Sequence, residues 1–536
     1  SSKSAQALLE ALGPSAQAEG EGSLPAMLRL LFAVASPAMI IPAKMSCSLK
    51  HLSDGAPPFS DEAMSKIHKY WLANINFENT GAILASPDPH AEADCPGLHV
   101  QNNYRYHWAR DSALTMHVLL FMAEVSHVDH YFEKYFEWEK KIHQQPDAHP
   151  GLNILAEPKF FLNGSAMYPF YSTCMRPQND GPALRAKVIS EYALSVDSLM
   201  KSSWYEFVQR DLNYLIQTWR NPTCEPWEET RTPNAFFDRY AMRAGLSLGA
   251  QFAEMMGHEE DAEKFKKEAL VIENDLYEHY NESGKFVYED TAKEKSHMDM
   301  AVIEAFNDAY LGDNVFQPLS HQVLNTVIAY NELFCNEYEI NQRDTLAGIP
   351  GILYGRYTHD TYCAGNPWPL LTAALAELVY NTATALLKTD EVGRKTYELL
   401  QQAYDIEDGL QGKELADAVM GAADGIMLRI KYHVEGDDYH IREQISRQDG
   451  HQLSARDLTW SYSNVIKAMH ARKKYMMAAE EHMRLNDART WSPLIIGPSV
   501  LFVVLLAVAV MVKQAAHSSA KSSNYALLVD AATLPA

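Results

Sequence analysis

Between about Ser60 and His482 the apolar residues recur at helical spacing and nowhere settle into the two-residue alternation of a strand. That property confines the body of the chain to an all-α architecture. In Asp261–Tyr280 the residues Ala262, Phe265, Ala269, Ile272 and Leu276 fall three or four apart, which places them in one stripe on an amphipathic helix. Arg239–Met256 is also helical but richer in small residues (Ala244, Gly245, Gly249, Ala250), as close helix packing requires. Leu370–Leu387 is apolar nearly all round and predicts an inner helix. Loops rich in Pro, Gly, Trp and Tyr separate these helices, and no short repeat is visible.

A helical body of this length, in a chain of 536 residues with 47% apolar content, can bury one large core. Acidic residues number 69 against 46 basic ones, a net charge of −23. Such a field repels phosphate backbones and argues against a nucleic-acid partner, while neutral ligands are indifferent to it. The six cysteines include no CxxC pair and match no zinc pattern. A core this size needs no staples, so most of them read as free thiols, with one or two long-range disulfides open if the chain is secreted.

The ends differ from the middle. Residues 1–23 are small and polar, and Leu24–Ala43 is an apolar stretch carrying only Arg29. It reads either as a displaced signal-peptide core or as a leader broken by Pro37 and Pro42. Pro493–Val512 is twenty residues without a charge, followed at once by Lys513. That length crosses the roughly 30 Å of a bilayer's hydrocarbon, so a transmembrane helix is expected there. The resulting division is a leader at 1–60, a catalytic domain at 61–485, the span at 493–512 and a tail at 513–536. With that anchor the protein would sit in the secretory pathway or at the cell surface; a vacuolar or cytosolic enzyme is the alternative. Asn163-Gly-Ser and Asn281-Glu-Ser are sequons that could then be glycosylated.

Five loop clusters carry the polar and aromatic chemistry: YRYHWARDSAL (Tyr104–Leu114); EPKF (Glu157–Phe160) with RPQNDGPALR (Arg176–Arg185); EPWEET (Glu225–Thr230); GRYTHDTYCAGNPW (Gly355–Trp368); and IREQ…LSARDLTWSYS (Ile441–Ser463). A Trp beside a carboxylate offers a flat wall to a sugar ring and raises that carboxylate's pKa by desolvation. Arg and Asp nearby hydrogen-bond hydroxyls. Any one cluster reads as a helix cap or a surface ion pair; five on the loops of one helical domain point to a polyol-binding cleft.

From about Lys66 to Ala471 these motifs and their order resemble the glucoamylases, glycoside hydrolase family 15. The resemblance implies an (α/α)6 barrel with no metal or organic cofactor. It also implies an exo-acting, inverting hydrolase that releases β-D-glucose from the non-reducing ends of α-1,4-glucans such as soluble starch, maltooligosaccharides and glycogen. It makes Glu228, after the Trp of the WEE motif, the general acid, and Glu443, upstream of LSARDLTWSY, the general base. Glu229 is implied as a substrate-binding carboxylate beside Trp227. Trp108, Arg110 and Asp111 would grip the terminal sugar with Tyr104 as a wall of that subsite, Arg356 and Asp360 form the GRYxxD pair, and Trp368 lines the rim.

Elementary chemistry fits these roles, because cleavage needs a protonated carboxyl at the leaving oxygen and an ionised one on the opposite face. Trp227 and Glu229 flank Glu228 in sequence and would hold its proton on. Glu443, with Arg442 and Arg447 nearby, would stay ionised. Cys174 and Met175 stand where the family commonly has Trp-Gly, which removes an indole from the sugar wall unless Tyr168, Phe170 or Tyr171 fills the gap. Ile445 replaces a usual aromatic. With the membrane anchor expected after the barrel in place of a starch-binding module, soluble glucans are the expected substrates rather than raw starch granules. Two alternatives stay open: an α-glucosidase of trehalose or isomaltose type, and a glucan-binding regulatory barrel. Retention of both glutamates argues against the latter.

Overall fold

The computed structural model describes residues 55–490, apart from 97–101, 123–127, 148–151, 168–173, 199–200 and 292–297, together with Cys47 and Leu49. The chain divides into two units, 1–45 and 46–536, and every described residue belongs to the second. The apolar stretches at 24–43 and 493–512 lie outside the described residues.

Fourteen α-helices occur among the described residues: α1 Asp61–Ala73, α2 Ala109–Leu119, α3 Val128–His143, α4 Asp180–Ser195, α5 Lys201–Thr218, α6 Phe236–Met255, α7 Glu259–Leu276, α8 Ala301–Asp308, α9 His321–Glu337, α10 Glu339–Leu346, α11 Pro369–Leu387, α12 Arg394–Tyr404, α13 Gly412–Val434 and α14 Thr459–Thr490. Helix starts follow local rules. Ser60 caps α1 by accepting from the Ala63 amide, with Asp61 and Glu62 in the first turn, and Ser320 does the same for α9.

Six of these helices close a ring. α2 packs on α4, α4 on α6, α6 on α8, α8 on α11, α11 on α14, and α14 returns to α2. The outer helices lie against this ring: α1 on α14, α5 on α4 and α6, α7 on α6, and α13 on α11. This is the (α/α)6 arrangement, and the burial patterns explain which helix goes where. α7 buries only Ala262, Phe265, Ala269, Ile272 and Leu276, the single stripe its sequence shows. α4, α6 and α11 are buried on nearly every face, as inner helices must be. A Cβ on Gly245 of α6 would stand 2.6 Å from the Ala183 carbonyl of α4, so that contact closes only without a side chain. α11 is long and apolar enough to cross a membrane, yet most of it is buried in the ring.

One or two other helices separate successive inner helices along the chain, and the loops entering α2, α4, α6, α11 and α14 gather at one end of the ring. Short antiparallel ladders brace them: His107–Trp108 on Lys159–Phe160, Thr223–Cys224 on Arg231–Thr232, and Gln444–Ile445 on Gln452–Leu453. Contrary to the free-thiol reading, all six cysteines are paired, as Cys47–Cys335, Cys95–Cys363 and Cys174–Cys224. The partners lie 288, 268 and 50 residues apart, separations at which only the folded ring decides which loops meet. Two of the three pairs fasten these site-end loops.

Candidate active site

The loops entering α2, α4, α6, α11 and α14 surround a cavity of about 520 Å³. Tyr104, Trp108, Arg110, Asp111, Trp227, Glu228, Glu229, Arg356, Trp368 and Glu443 all line it. Asp360 does not. It sits behind Arg356, accepting from Nε at 2.8 Å and from Nη2 at 2.6 Å, and so aims the guanidinium.

Glu228 stands on a tight loop before α6. Its φ of 62° is in the left-handed region, which is costly for a residue with a Cβ and is sustained here by the loop's bonding. Glu225 supplies most of that bonding. Its Oε1 accepts from the amides of Glu229 and Thr230 at 2.8 and 2.7 Å, and its Oε2 from that of Trp227 at 2.7 Å. The Cys174 amide donates to the Glu228 carbonyl at 2.8 Å. The Glu228 carboxylate accepts at Oε1 from Trp108 Nε1 at 3.0 Å and from Gln178 Nε2 at 2.9 Å. The indole bonded to Glu228 is therefore that of Trp108. Trp227 Nε1 instead donates to Asp299 at 2.9 Å, and burial pushes Asp299 up to about 7. Glu229 is matched by Arg356 Nη2 at 2.9 Å and by the Tyr357 hydroxyl, rather than standing as a bare like charge.

Glu443 opens the hairpin before α14 and is buried, only 3% exposed. Oε2 accepts from Ser454 Oγ at 2.5 Å and Gln444 Nε2 at 3.3 Å, Oε1 accepts from Tyr104 Oη at 3.1 Å, and Tyr362 Oη stands 3.2 Å from Oε2. Burial nevertheless pushes its carboxyl up to about 7, with hydrogen bonds from Ser454, Tyr104 and Gln444 opposing. This corrects the expected surroundings of the base: hydroxyls and an amide, not the neighbouring arginines, face its carboxylate. Arg442 is committed to Asp94 and the Ser454 carbonyl, and Arg447 to Gly365 and Glu337.

Three indoles form the floor. Trp227 lies 5.8 Å from Trp368 and 6.1 Å from Trp460, centroid to centroid. Among the described residues, Trp368 Nε1 and Trp460 Nε1 are buried without a hydrogen-bond partner, so a polyol here would meet donors still to be satisfied. Arg110 is held by Asp180 at 2.9 Å and Gln178 at 3.2 Å, and stands 5.2 Å over the Trp460 ring.

Reading the loops missed Glu92, Lys159, Tyr362 and Trp460 as cavity residues. Lys159 belongs to the EPKF cluster. Its ammonium sits 3.9 Å over the Trp108 ring, and burial lowers it to about 8. Glu92 carried no sequence signal. The gap expected at Cys174 is also corrected: that residue is buried and bonded to Cys224, so it braces the Glu228 loop. Tyr168, Phe170 and Tyr171 lie outside the described residues. Ile445 is fully buried in its hairpin.

The model of the family described as glycosyl hydrolases family 15 matches residues 61–470. A glucoamylase of Blastobotrys adeninivorans is 29% identical over 78% of this chain and 71% of its own. Glucoamylase-1 of Schizophyllum commune is 30% identical over 73% of this chain and 69% of its own. Among solved structures, the glucoamylase of Saccharomycopsis fibuligera superposes with a TM-score of 0.67, covering 78% of this chain and 95% of the other at 24% identity.

Proposed function

The chain belongs to glycosyl hydrolases family 15, and from that premise we propose that it hydrolyses α-1,4-glucans from their non-reducing ends, releasing β-D-glucose. The observation that carries this reading is the pair Glu228 and Glu443 in one indole-floored cavity, each carboxylate held by a different set of donors. Glu228 delivers a proton to the leaving glycosidic oxygen. Glu443 takes one from a water attacking the anomeric carbon from the opposite face, so the configuration inverts. Trp227, Trp368 and Trp460 stack on the sugar rings, while Arg110, Asp111 and Arg356 bond to hydroxyls; Glu229 and Asp360 hold Arg356 in place. Soluble starch, maltooligosaccharides and glycogen are the substrates proposed.

Glucose release from maltotriose, with NMR of the first-formed anomer, tests this reading. β-Glucose as first product, and a loss of at least about a hundredfold in kcat for Glu228→Gln and Glu443→Gln, are expected. α-Glucose would overturn inversion, and no glucose release at all would favour a regulatory glucan-binding barrel.

Location is part of the same proposal. Three disulfides fit an oxidising compartment, and Pro493–Val512 has the length and composition of a membrane anchor. Full-length protein left soluble after carbonate extraction would refute the anchor.

A further inference from the structure

A third carboxylate stands beside the base. Glu92 is 4% exposed, and its turn is welded to the loop into α11 by Cys95–Cys363, next to Tyr362. Its Oε2 accepts from Asn102 Nδ2 at 2.6 Å, and its Oε1 takes the hydroxyl of Tyr362 at 2.6 Å. That same hydroxyl is 2.9 Å from Tyr104 Oη and 3.2 Å from Glu443 Oε2. Two residues on, Asp94 accepts from the amide of Ser454 at 2.9 Å, and Ser454 Oγ is the shortest donor to Glu443. One turn of chain thus reaches two of the hydroxyls that stand beside the base.

A phenol has one proton, and the short contact commits that of Tyr362 to Glu92. Tyr362 then stands before Glu443 as an oxygen without a proton to give. We infer that Glu92 is a positioning residue for Glu443, keeping the Tyr362 proton off the base and so keeping the base able to accept a proton from water. This rests on the reading of Glu443 as the general base.

The other groups around Glu443 leave this role open to Glu92. Tyr104 enters from the loop into α2 and Tyr362 from the loop into α11, with Arg356, committed to Asp360 and Glu229, 5.1 Å over the Tyr362 ring. Arg442, on the base's own hairpin, is held by Asp94. Lys159 feels both Glu92 and Glu228 but is seated over Trp108. Glu92 is therefore the nearby carboxylate whose charge raises Glu443.

In Glu92→Gln the amide oxygen can keep Asn102 as its donor while its nitrogen donates to Tyr362, which turns the phenol proton toward Glu443. Loss of a like charge acts in the same direction, so the acid limb of kcat/KM on maltotriose should move down by about one pH unit. Above that limb kcat should fall, and Glu92→Asp should keep the wild-type limb. On a Tyr362→Phe background the Gln substitution should shift the limb less, because the shared proton is gone. An acid limb unmoved by Glu92→Gln in a protein of unchanged circular dichroism, or an equal shift on both backgrounds, would overturn the inference. A wild-type protein that releases no glucose would instead refute the underlying reading.

Discussion

The amide of Cys174 donates to the carbonyl of Glu228 at 2.8 Å, so the residue whose side chain is locked to Cys224 also holds the backbone of the candidate acid. The Cys174–Cys224 bridge closes a 50-residue separation and should contribute about 4 kcal/mol through loop closure. The double variant Cys174→Ser/Cys224→Ser should melt several degrees lower. It should also lose about tenfold in kcat, because small displacements of a proton donor are costly. Calorimetry and glucose-release kinetics check both. Cys174→Trp should likewise lower kcat/KM on maltoheptaose rather than restore a sugar wall.

Glu443 must be ionised to accept a proton, and burial places its titration at about 7 in the free enzyme. As pH falls through that value the carboxyl gains a proton and the base is lost. The kcat/KM for maltotriose should therefore decline about tenfold per unit as pH falls below about 7. A rate profile from pH 4 to 9 measures the midpoint.

Glu225 gathers three amides of the loop that carries Glu228. Glu225→Gln exchanges one acceptor for a donor facing backbone N–H groups, leaving buried donors unsatisfied. The expected result is a kcat lower by about tenfold to a hundredfold with a smaller rise in KM, since Glu228 is displaced together with Trp227 and Glu229 on the same loop while Arg110, Trp368 and Trp460 keep their places. Steady-state kinetics separates the two constants.

Arg356 bonds Asp360 through two nitrogens and Glu229 through one of these. Arg356→Lys keeps the charge but not the fork, and would leave Asp360 buried and half-matched. KM for maltotriose should rise about tenfold, with a smaller change in kcat.

The helices, their faces and the motif order were legible in the sequence because local spacing sets them. The five-residue stripe of α7 can be buried only on one side, and the apolar girth of α11 only inside the ring. The residues that chemistry singles out, a Trp beside two glutamates or an Arg four positions before an Asp, could likewise be named from their types and order. What surrounds each of them was decided by tertiary structure. Trp227 precedes Glu228 in the chain but turns its N–H to Asp299, while Trp108, 120 residues away, donates to the acid. Glu443 has arginines as sequence neighbours and yet is buried among hydroxyls from two other loops. Cys95 meets Cys363 and carries Glu92 to Tyr362 because closing the ring brings its first and later loops to one end. Local periodicity is a property of neighbours along the chain; burial, pairing and proton ownership depend on neighbours in space, which exist only once the ring has closed.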